Sequence, residues 1–127
     1  MKVTRSQVQA VELARAVCDG VLEVPMAGAT DVVMQRIMVP PGESIDWHYH
    51  LGPMIVVVQS GTLTTLIAGR GTRTSTAGEA FIEPAGGHWV HKGVNAGAEP
   101  LIMFTTHLIP VSCPLSIAVD IDEDDLV

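Results

Sequence analysis

Residues Gly42–Gly61, GESIDWHYHLGPMIVVVQSG, decide the fold of this chain. Inside this stretch stands His48-Tyr49-His50, which holds two of the five histidines in the protein. Successive side chains on a β-strand point to opposite faces, so His48 and His50 would lie side by side on one face. Neutral imidazole is a common ligand of first-row metals, and such a pair supplies half of a metal site. The pair is also compatible with two ordinary histidines on an exposed strand. The surrounding sequence has to decide between this interpretation and a metal site.

The bulk composition describes a small and rather apolar domain. The 127 residues are enough for one domain with a buried core. The chain is 47% hydrophobic with a mean hydropathy of +0.35, yet no apolar run approaches the ~20 residues that span a bilayer. Surplus apolar surface on a small domain predicts a subunit interface, and we therefore expect a homodimer or a larger oligomer.

The charge distribution argues against several partners. The net charge is −7, and five of the 14 acidic residues fall within residues 120–127. Because no basic patch is present, we expect no binding to nucleic acid or to an anionic membrane. The acidic tail is expected to be solvated, with a contact to a neighbouring subunit as the alternative.

The cysteines and the N-terminal residues predict a cytoplasmic protein. Cys18 and Cys113 lie far apart and form no Cys-x-x-Cys motif. The first residues are interrupted by charge and lack the continuous apolar segment of a signal peptide. Both features are typical of free thiols in a reducing compartment.

The remaining pattern predicts an all-β domain with a short N-terminal helix. Valines and Ala14 recur at three-residue spacing within Ser6–Val17, which favours a helix ending near Asp19-Gly20. Beyond residue 20, short β-rich runs alternate with Gly and Pro, as in a small closed barrel or sandwich. We predict a helical extension over residues 1–20, a β-barrel over 21–119 and an acidic tail over 120–127.

The opening stretch resembles the first motif of the cupins. That motif reads Gly, five residues, His-x-His, three or four residues, Glu, six residues, Gly. In this chain Gly42 precedes His48 and His50 by the right interval, and Gly61 closes the frame. The departure is Met54, which stands where the family has a glutamate ligand.

A second cupin motif follows, reading Gly, five residues, Pro-x-Gly, two residues, His, three residues, Asn. Gly78, Pro84 and Gly86 match its first half, and His91 keeps the interval to Asn95. Four residues rather than two separate Gly86 from His91, so the loop is longer than the motif. The resemblance implies a single cupin barrel, the double-stranded β-helix or jelly roll, over nearly the whole chain.

The resemblance also implies a three-histidine metal site. His48 and His50 would bind the metal from one strand and His91 from a facing strand, with a divalent first-row ion between them. Iron is the foremost candidate, and nickel, manganese, zinc or copper are alternatives. Three neutral ligands leave an ion its dipositive charge and open positions for substrate.

Three further residues are candidates at the metal. His88 competes with His91 because the longer loop displaces both histidines from the expected position. Met54 has a soft thioether that suits Cu(I) better than Fe²⁺, and we expect it to be an apolar wall residue beside the metal. Asn95, the last motif residue, is the third candidate.

Two residues are candidates for catalysis. His107, in the strand LIMFTTHLIP, could move a proton near pH 7 as neutral imidazole, although an ordinary barrel histidine is the alternative. Among the polar strand residues, one is expected to point inward and orient a substrate. We take Gln59 as the candidate. The alternation of side chains cannot be followed across the turns, so the sequence leaves the choice open among Gln35, Arg36, Gln59 and Glu83.

These features predict a metal-dependent enzyme acting on a small metabolite. Similar three-histidine cupins without the acid include dioxygenases of thiols and of β-dicarbonyls, so oxygenase chemistry is the leading expectation. A lyase, isomerase or cyclase is the next, and a cupin that binds a small ligand without turnover is the non-catalytic alternative.

Overall fold

A computed structural model describes residues 8–20, 22–24 and 26–122 of the protein. That part of the chain forms nine β-strands and no helix, which confirms the all-β class. The strands are β1 (Thr30–Val39), β2 (Ser44–Tyr49), β3 (Met54–Ser60), β4 (Thr62–Ile67), β5 (Gly71–Thr76), β6 (Ala80–Glu83), β7 (His91–Val94), β8 (Leu101–Pro110) and β9 (Ile117–Ala118).

The strands form two antiparallel sheets that pack face to face. One sheet has the order β1-β8-β3-β6 and the other β5-β4-β7-β2-β9. Their inner faces share one buried apolar cluster, which joins the sheets into the expected jelly-roll barrel. The cluster consists of Val39, Met54, Val56, Val58, Leu63, Leu101 and Met103.

Strand β8 shows how the sequence sets the interior. Every second residue from Leu101 onward is buried and the residues between them are half-buried, as strand geometry requires. The buried series begins with Leu101 and Met103 and continues with Thr105 and His107. The same strand face therefore supplies the apolar core and then a polar interior.

The turn between β3 and β4 depends on Gly61. Its φ is +79°, a left-handed conformation that glycine adopts without steric cost. A Cβ at this position would also lie 2.6 Å from the carbonyl oxygen of Pro100. Gly42 and Gly78 likewise have positive φ, so these three motif glycines occupy backbone conformations that favour glycine.

The predicted N-terminal helix is wrong over the described residues 8–17. Val8 and Val11 are 86% and 80% exposed, so the valine stripe finds no apolar surface to cover. Val17 instead forms an isolated parallel bridge with Glu79, its N–H donating to the carbonyl of Gly78. β-Branched residues favour extended backbone over helix, and here backbone pairing with the barrel prevails.

The outer limits of the predicted domain stay a prediction. The last strand, β9, ends at Ala118, just inside the predicted end of the barrel. The start of the predicted helix at Ser6 and residues 123–127 of the acidic tail lie outside the described residues. Within the described ranges, no helix has the length and apolar character needed to cross a membrane.

Candidate metal centre

Three histidines converge at one end of the barrel interior. His48 lies on β2 and is the direct cross-strand neighbour of His91 on β7, while His50 immediately follows β2. The atoms that each ring could offer to a metal all lie within 4.8 Å of one another. The ring centroids are 4.3 to 5.1 Å apart. The structure therefore brings the predicted His48, His50 and His91 together as a group that could hold one metal ion.

Backbone carbonyls orient all three rings. The Nδ1 atoms of His50 and His91 donate to the carbonyl oxygens of Leu115 and Trp89, both at 2.8 Å. The Nδ1 of His48 donates to the carbonyl of Asp46. Because a carbonyl can only accept a hydrogen bond, Nδ1 carries the proton in each ring. Each Nε2 is left with a free lone pair, which is the tautomer that a metal requires.

The surroundings of these rings fit a bound cation. His50 Nε2 is buried and has no hydrogen-bond partner among the described residues. A buried polar atom without a partner costs free energy, and coordination of a metal ion would remove that cost. The donor atoms of the three imidazoles lie close together, and His50 Nε2 has no hydrogen-bond partner among the described residues. This donor set suits a divalent first-row metal.

Burial favours the neutral forms of His48 and His50. Desolvation lowers the pKa of His50 to about 4, against an opposing hydrogen bond to Leu115, and the neighbouring histidines lower it further. The pKa of His48 is also lowered, with burial again the largest cause. Neutral rings at pH 7 are available to a metal without first losing a proton.

His107 lies beside the cluster. It is 4% exposed, and its ring centroid is 5.3 Å from that of His50. Neither of its ring nitrogens has a hydrogen-bond partner among the residues described. Desolvation, followed by repulsion from His48, lowers the pKa of His107. This position is compatible with the predicted proton-transfer role, which stays a prediction.

Met54 occupies the wall beside the histidines. It is 8% exposed, belongs to the apolar cluster and lies between His107 on β8 and Glu83 on β6 as their cross-strand neighbour. This placement agrees with its interpretation as an apolar wall residue of the barrel.

Glu83 is the polar strand residue that points inward. It is 2% exposed, and its Oε1 accepts a hydrogen bond from Arg73 Nη2 at 3.0 Å. Its Oε2 accepts from Trp89 Nε1 at 2.8 Å and lies 3.9 Å from His91 Nε2. Sequence reasoning considered Glu83 only as one of four polar residues. The sequence left the choice open because strand parity cannot be carried across the intervening turns.

Gln59 lies apart from the histidines. The buried residues of β3 are Met54, Val56 and Val58, and Gln59 is exposed. Its Nε2 donates to the carbonyl oxygen of Leu13 at 2.9 Å, so it ties the N-terminal segment to the barrel. The structure therefore corrects the inward orientation expected of Gln59.

The longer loop of the second motif explains the positions of His88 and His91. Residues 86–89 form a turn in which Trp89 N–H donates to the carbonyl of Gly86. This turn takes up the two extra residues, so His91 enters β7 opposite His48. His88 is exposed, and its carbonyl oxygen accepts a hydrogen bond from Arg70 Nε at 3.3 Å.

Asn95 is a structural residue in this barrel. It is fully buried, and its Nδ2 donates to the carbonyl oxygens of Val39 and Glu99 at 2.9 and 2.8 Å. Its Oδ1 accepts from Gly97 N–H at 3.0 Å. All three bonds go to backbone, so its amide holds the loop after β7 rather than facing the histidines.

Fold and site together define a small β-barrel with a three-histidine group able to hold a metal ion. The family model described as Cupin domain matches residues 35–107, which is more than half of the chain. The chain belongs to the cupin family. No curated protein matches it.

Solved structures agree with this assignment. An uncharacterized conserved protein with a double-stranded β-helix domain from Klebsiella pneumoniae is 24% identical, with a TM-score of 0.58 over 73% of this chain and 75% of that one. The polyketide cyclase RemF from Streptomyces resistomycificus is 26% identical, with a TM-score of 0.59 over 76% of this chain and 66% of its own. Oxalate oxidase in complex with the substrate analogue glycolate is 27% identical, with a TM-score of 0.59 over 69% of this chain and 46% of its own.

Proposed function

We propose that this cupin is a metal-dependent enzyme that acts on a small metabolite, with oxygenase chemistry as its reaction class. His48, His50 and His91 hold a divalent first-row metal, iron foremost. The observation that carries this proposal is the common anchoring of the three rings: each Nδ1 is bound to a backbone carbonyl, and the atoms that could bind a metal lie within 4.8 Å of one another.

The bound metal supplies a Lewis-acidic charge and open coordination positions, because three neutral imidazoles neither neutralise it nor fill its coordination sphere. The side chains of the barrel wall suit a small substrate that carries polar groups. Thr65 and Thr105 are buried on inner strand faces, and their hydroxyl oxygens have no hydrogen-bond partner among the described residues. Such hydroxyls can bond and orient a polar ligand that enters the barrel.

His107 is the proposed proton-transfer residue. Its ring is neutral at pH 7 because burial lowers its pKa. Since neither Nδ1 nor Nε2 has a partner among the described residues, one nitrogen can carry a proton while the other accepts one from substrate. Its place next to His50 puts this base beside the metal ligands.

Relatives of known activity support enzymatic turnover without choosing the reaction. One is an oxalate oxidase, which agrees with oxygen chemistry, and another is a polyketide cyclase, which agrees with the second candidate class of lyase, isomerase or cyclase. Both are longer than this chain, so their substrates do not transfer directly.

Oxygen uptake tests the proposal. Fe²⁺-loaded protein would be mixed with acetylacetone as a β-dicarbonyl and with cysteine as a thiol, and oxygen consumption would be followed together with product formation. We expect uptake by the wild type and by Gln59→Ala, the matched control on the exposed face, and none by His91→Ala. Conversion of substrate without oxygen would replace the oxygenase by the lyase, isomerase or cyclase class.

A cupin that binds its ligand without turnover is the alternative favoured by Met54, which removes the usual acid from the first motif. Tight binding of a small ligand that is unaffected by His91→Ala, with no turnover under any metal, would support this alternative over the enzyme.

We further propose a cytoplasmic homodimer. Val32, Met34 and Met38 on β1 are 60%, 77% and 51% exposed and form an apolar edge on the outer face of the sheet. A second copy covering this edge would remove it from water. Sedimentation should give a dimer for the wild type and a monomer for Met34→Asp; a monomeric wild type would contradict the proposal.

A further inference from the structure

A buried carboxylate lies next to the three-histidine group. The cupin motifs do not specify an acid at this position. Glu83 is 2% exposed, and its Oε2 is 3.9 Å from His91 Nε2. Its strand is adjacent to the strand of Met54, and the two residues are direct cross-strand neighbours. The chain therefore replaces an acid on β3 by a thioether and carries an acid at the paired position on β6.

We propose that Glu83 is the anion of this metal site, acting from just outside the ligand sphere. In this role it strengthens the binding of a dication to the three histidines, and its Oε2 accepts a hydrogen bond from the water or substrate hydroxyl that occupies an open position. The inference rests on the proposed metal site and adds a positioning residue to it.

The contacts of Glu83 explain how a buried carboxylate is kept at this position. Arg73 donates to Oε1 and also stacks on the ring of Phe81, with its Cζ 3.8 Å from the ring centroid. This pairing offsets the cost of burying the carboxylate. Trp89 Nε1 donates to Oε2 and takes one of its lone pairs. An oxygen has two lone pairs, so Oε2, which lies 3.9 Å from His91 Nε2, retains one acceptor position.

The grouping of the donor atoms favours an indirect role over coordination. Glu83 Oε2 lies 3.9 Å from His91 Nε2, but among the described residues only His48, His50 and His91 form a group whose donor atoms all lie within 4.8 Å of one another. In the proposed role the carboxylate acts through a hydrogen-bonded water or substrate hydroxyl, and hydrogen-bond partners of this kind typically tune metal affinity.

Titration with Co²⁺, followed by its visible absorption, tests the inference without any activity assay. We expect Glu83→Gln to bind Co²⁺ at least about tenfold more weakly than the wild type. Glu79→Gln is the matched control, because it removes the same charge from an exposed residue whose carboxylate accepts only from Thr76 among the described residues, and its affinity should be unchanged. The double variant Met54→Glu with Glu83→Gln should regain the affinity, because it moves the acid across to the paired strand.

A purely structural role for Glu83 makes a different prediction. Trp89→Phe removes the hydrogen bond to Oε2 but leaves the carboxylate, so we expect it to retain most of the affinity. Equal weakening by Trp89→Phe and Glu83→Gln, or unchanged affinity of Glu83→Gln, would overturn the inference.

Folding of each variant would be checked by thermal melting. If Glu83→Gln does not fold, Glu83→Asp serves instead, because it keeps the charge but shortens the side chain by one methylene. We expect Glu83→Asp to bind Co²⁺ more weakly than the wild type. Unchanged binding would overturn the inference. Absence of Co²⁺ binding by the wild type would refute the proposed metal site itself, and the inference with it.

Discussion

Acidification should destabilise the metal-free protein through His50. Burial lowers the pKa of this ring to about 4 in the folded state, whereas the unfolded chain returns it to about 6.5. Below pH 6.5 the His50 ring therefore binds a proton in the unfolded state that it does not bind in the folded state. The free energy of unfolding must then fall as the pH falls from 6.5 toward 4, and it is fully retained above this window.

The two pKa values set the size of the effect. For a single group with these values, the free energy of unfolding decreases by about 2 kcal/mol between pH 7 and pH 5. The full difference approaches about 3 kcal/mol below pH 4. The pKa values of His48 and His107 are also lowered, and both add to the loss in the same direction.

Urea denaturation of the chelator-treated protein at pH 7 and pH 5 measures this loss. The variant His50→Gln lacks the titrating ring. Between pH 7 and pH 5 its free energy of unfolding should therefore decrease by about 2 kcal/mol less than that of the wild type. The variant's stability at pH 7 serves as its own reference. An identical pH dependence of the two proteins would refute the buried, neutral state assigned to His50.

The other predictions concern the site and the frame that holds it. Metal content should be lost in His91→Ala and unchanged in His88→Ala, and elemental analysis showing the reverse would exchange their roles. Asn95→Ala leaves the buried carbonyl of Val39 and the loop groups of Gly97 and Glu99 without their side-chain partner, and should cost about 2–4 kcal/mol in urea unfolding. A cost below about 0.5 kcal/mol would contradict its structural role. Gly61→Ala should lower the melting temperature more than Gly69→Ala, because both have positive φ but only Gly61 meets backbone atoms within 3 Å of an added Cβ. Equal melting temperatures would show that the contact with β8 is unimportant.

The three-histidine group could be predicted because it depends on strand parity and local spacing. A His-x-His pair on a strand places both rings on one face, and the structure brings His48 and His50 together. Spacing to Asn95 also favoured His91 over His88. The reason became visible only in the structure, where the turn over residues 86–89 absorbs the extra loop residues and restores the register of β7.

Other features depended on contacts between distant segments. The valine spacing before Val17 resembles a helical stripe, but no described surface covers it, and backbone pairing with Gly78 and Ala80 holds an extended segment. Gln59 bonds to that same segment, which no local pattern could indicate. The inward orientation of Glu83 likewise follows from the pairing of β6 with β3.

Metal content tests the central claim most directly. Protein purified without a histidine tag and offered Fe²⁺, Mn²⁺, Ni²⁺, Zn²⁺ or Cu²⁺ would be freed of loosely held ions and analysed for elements. The three-histidine site predicts about one metal ion per chain, lost in His91→Ala but retained in His88→Ala. Less than about 0.1 ion per folded wild-type chain, for every metal offered, would contradict it.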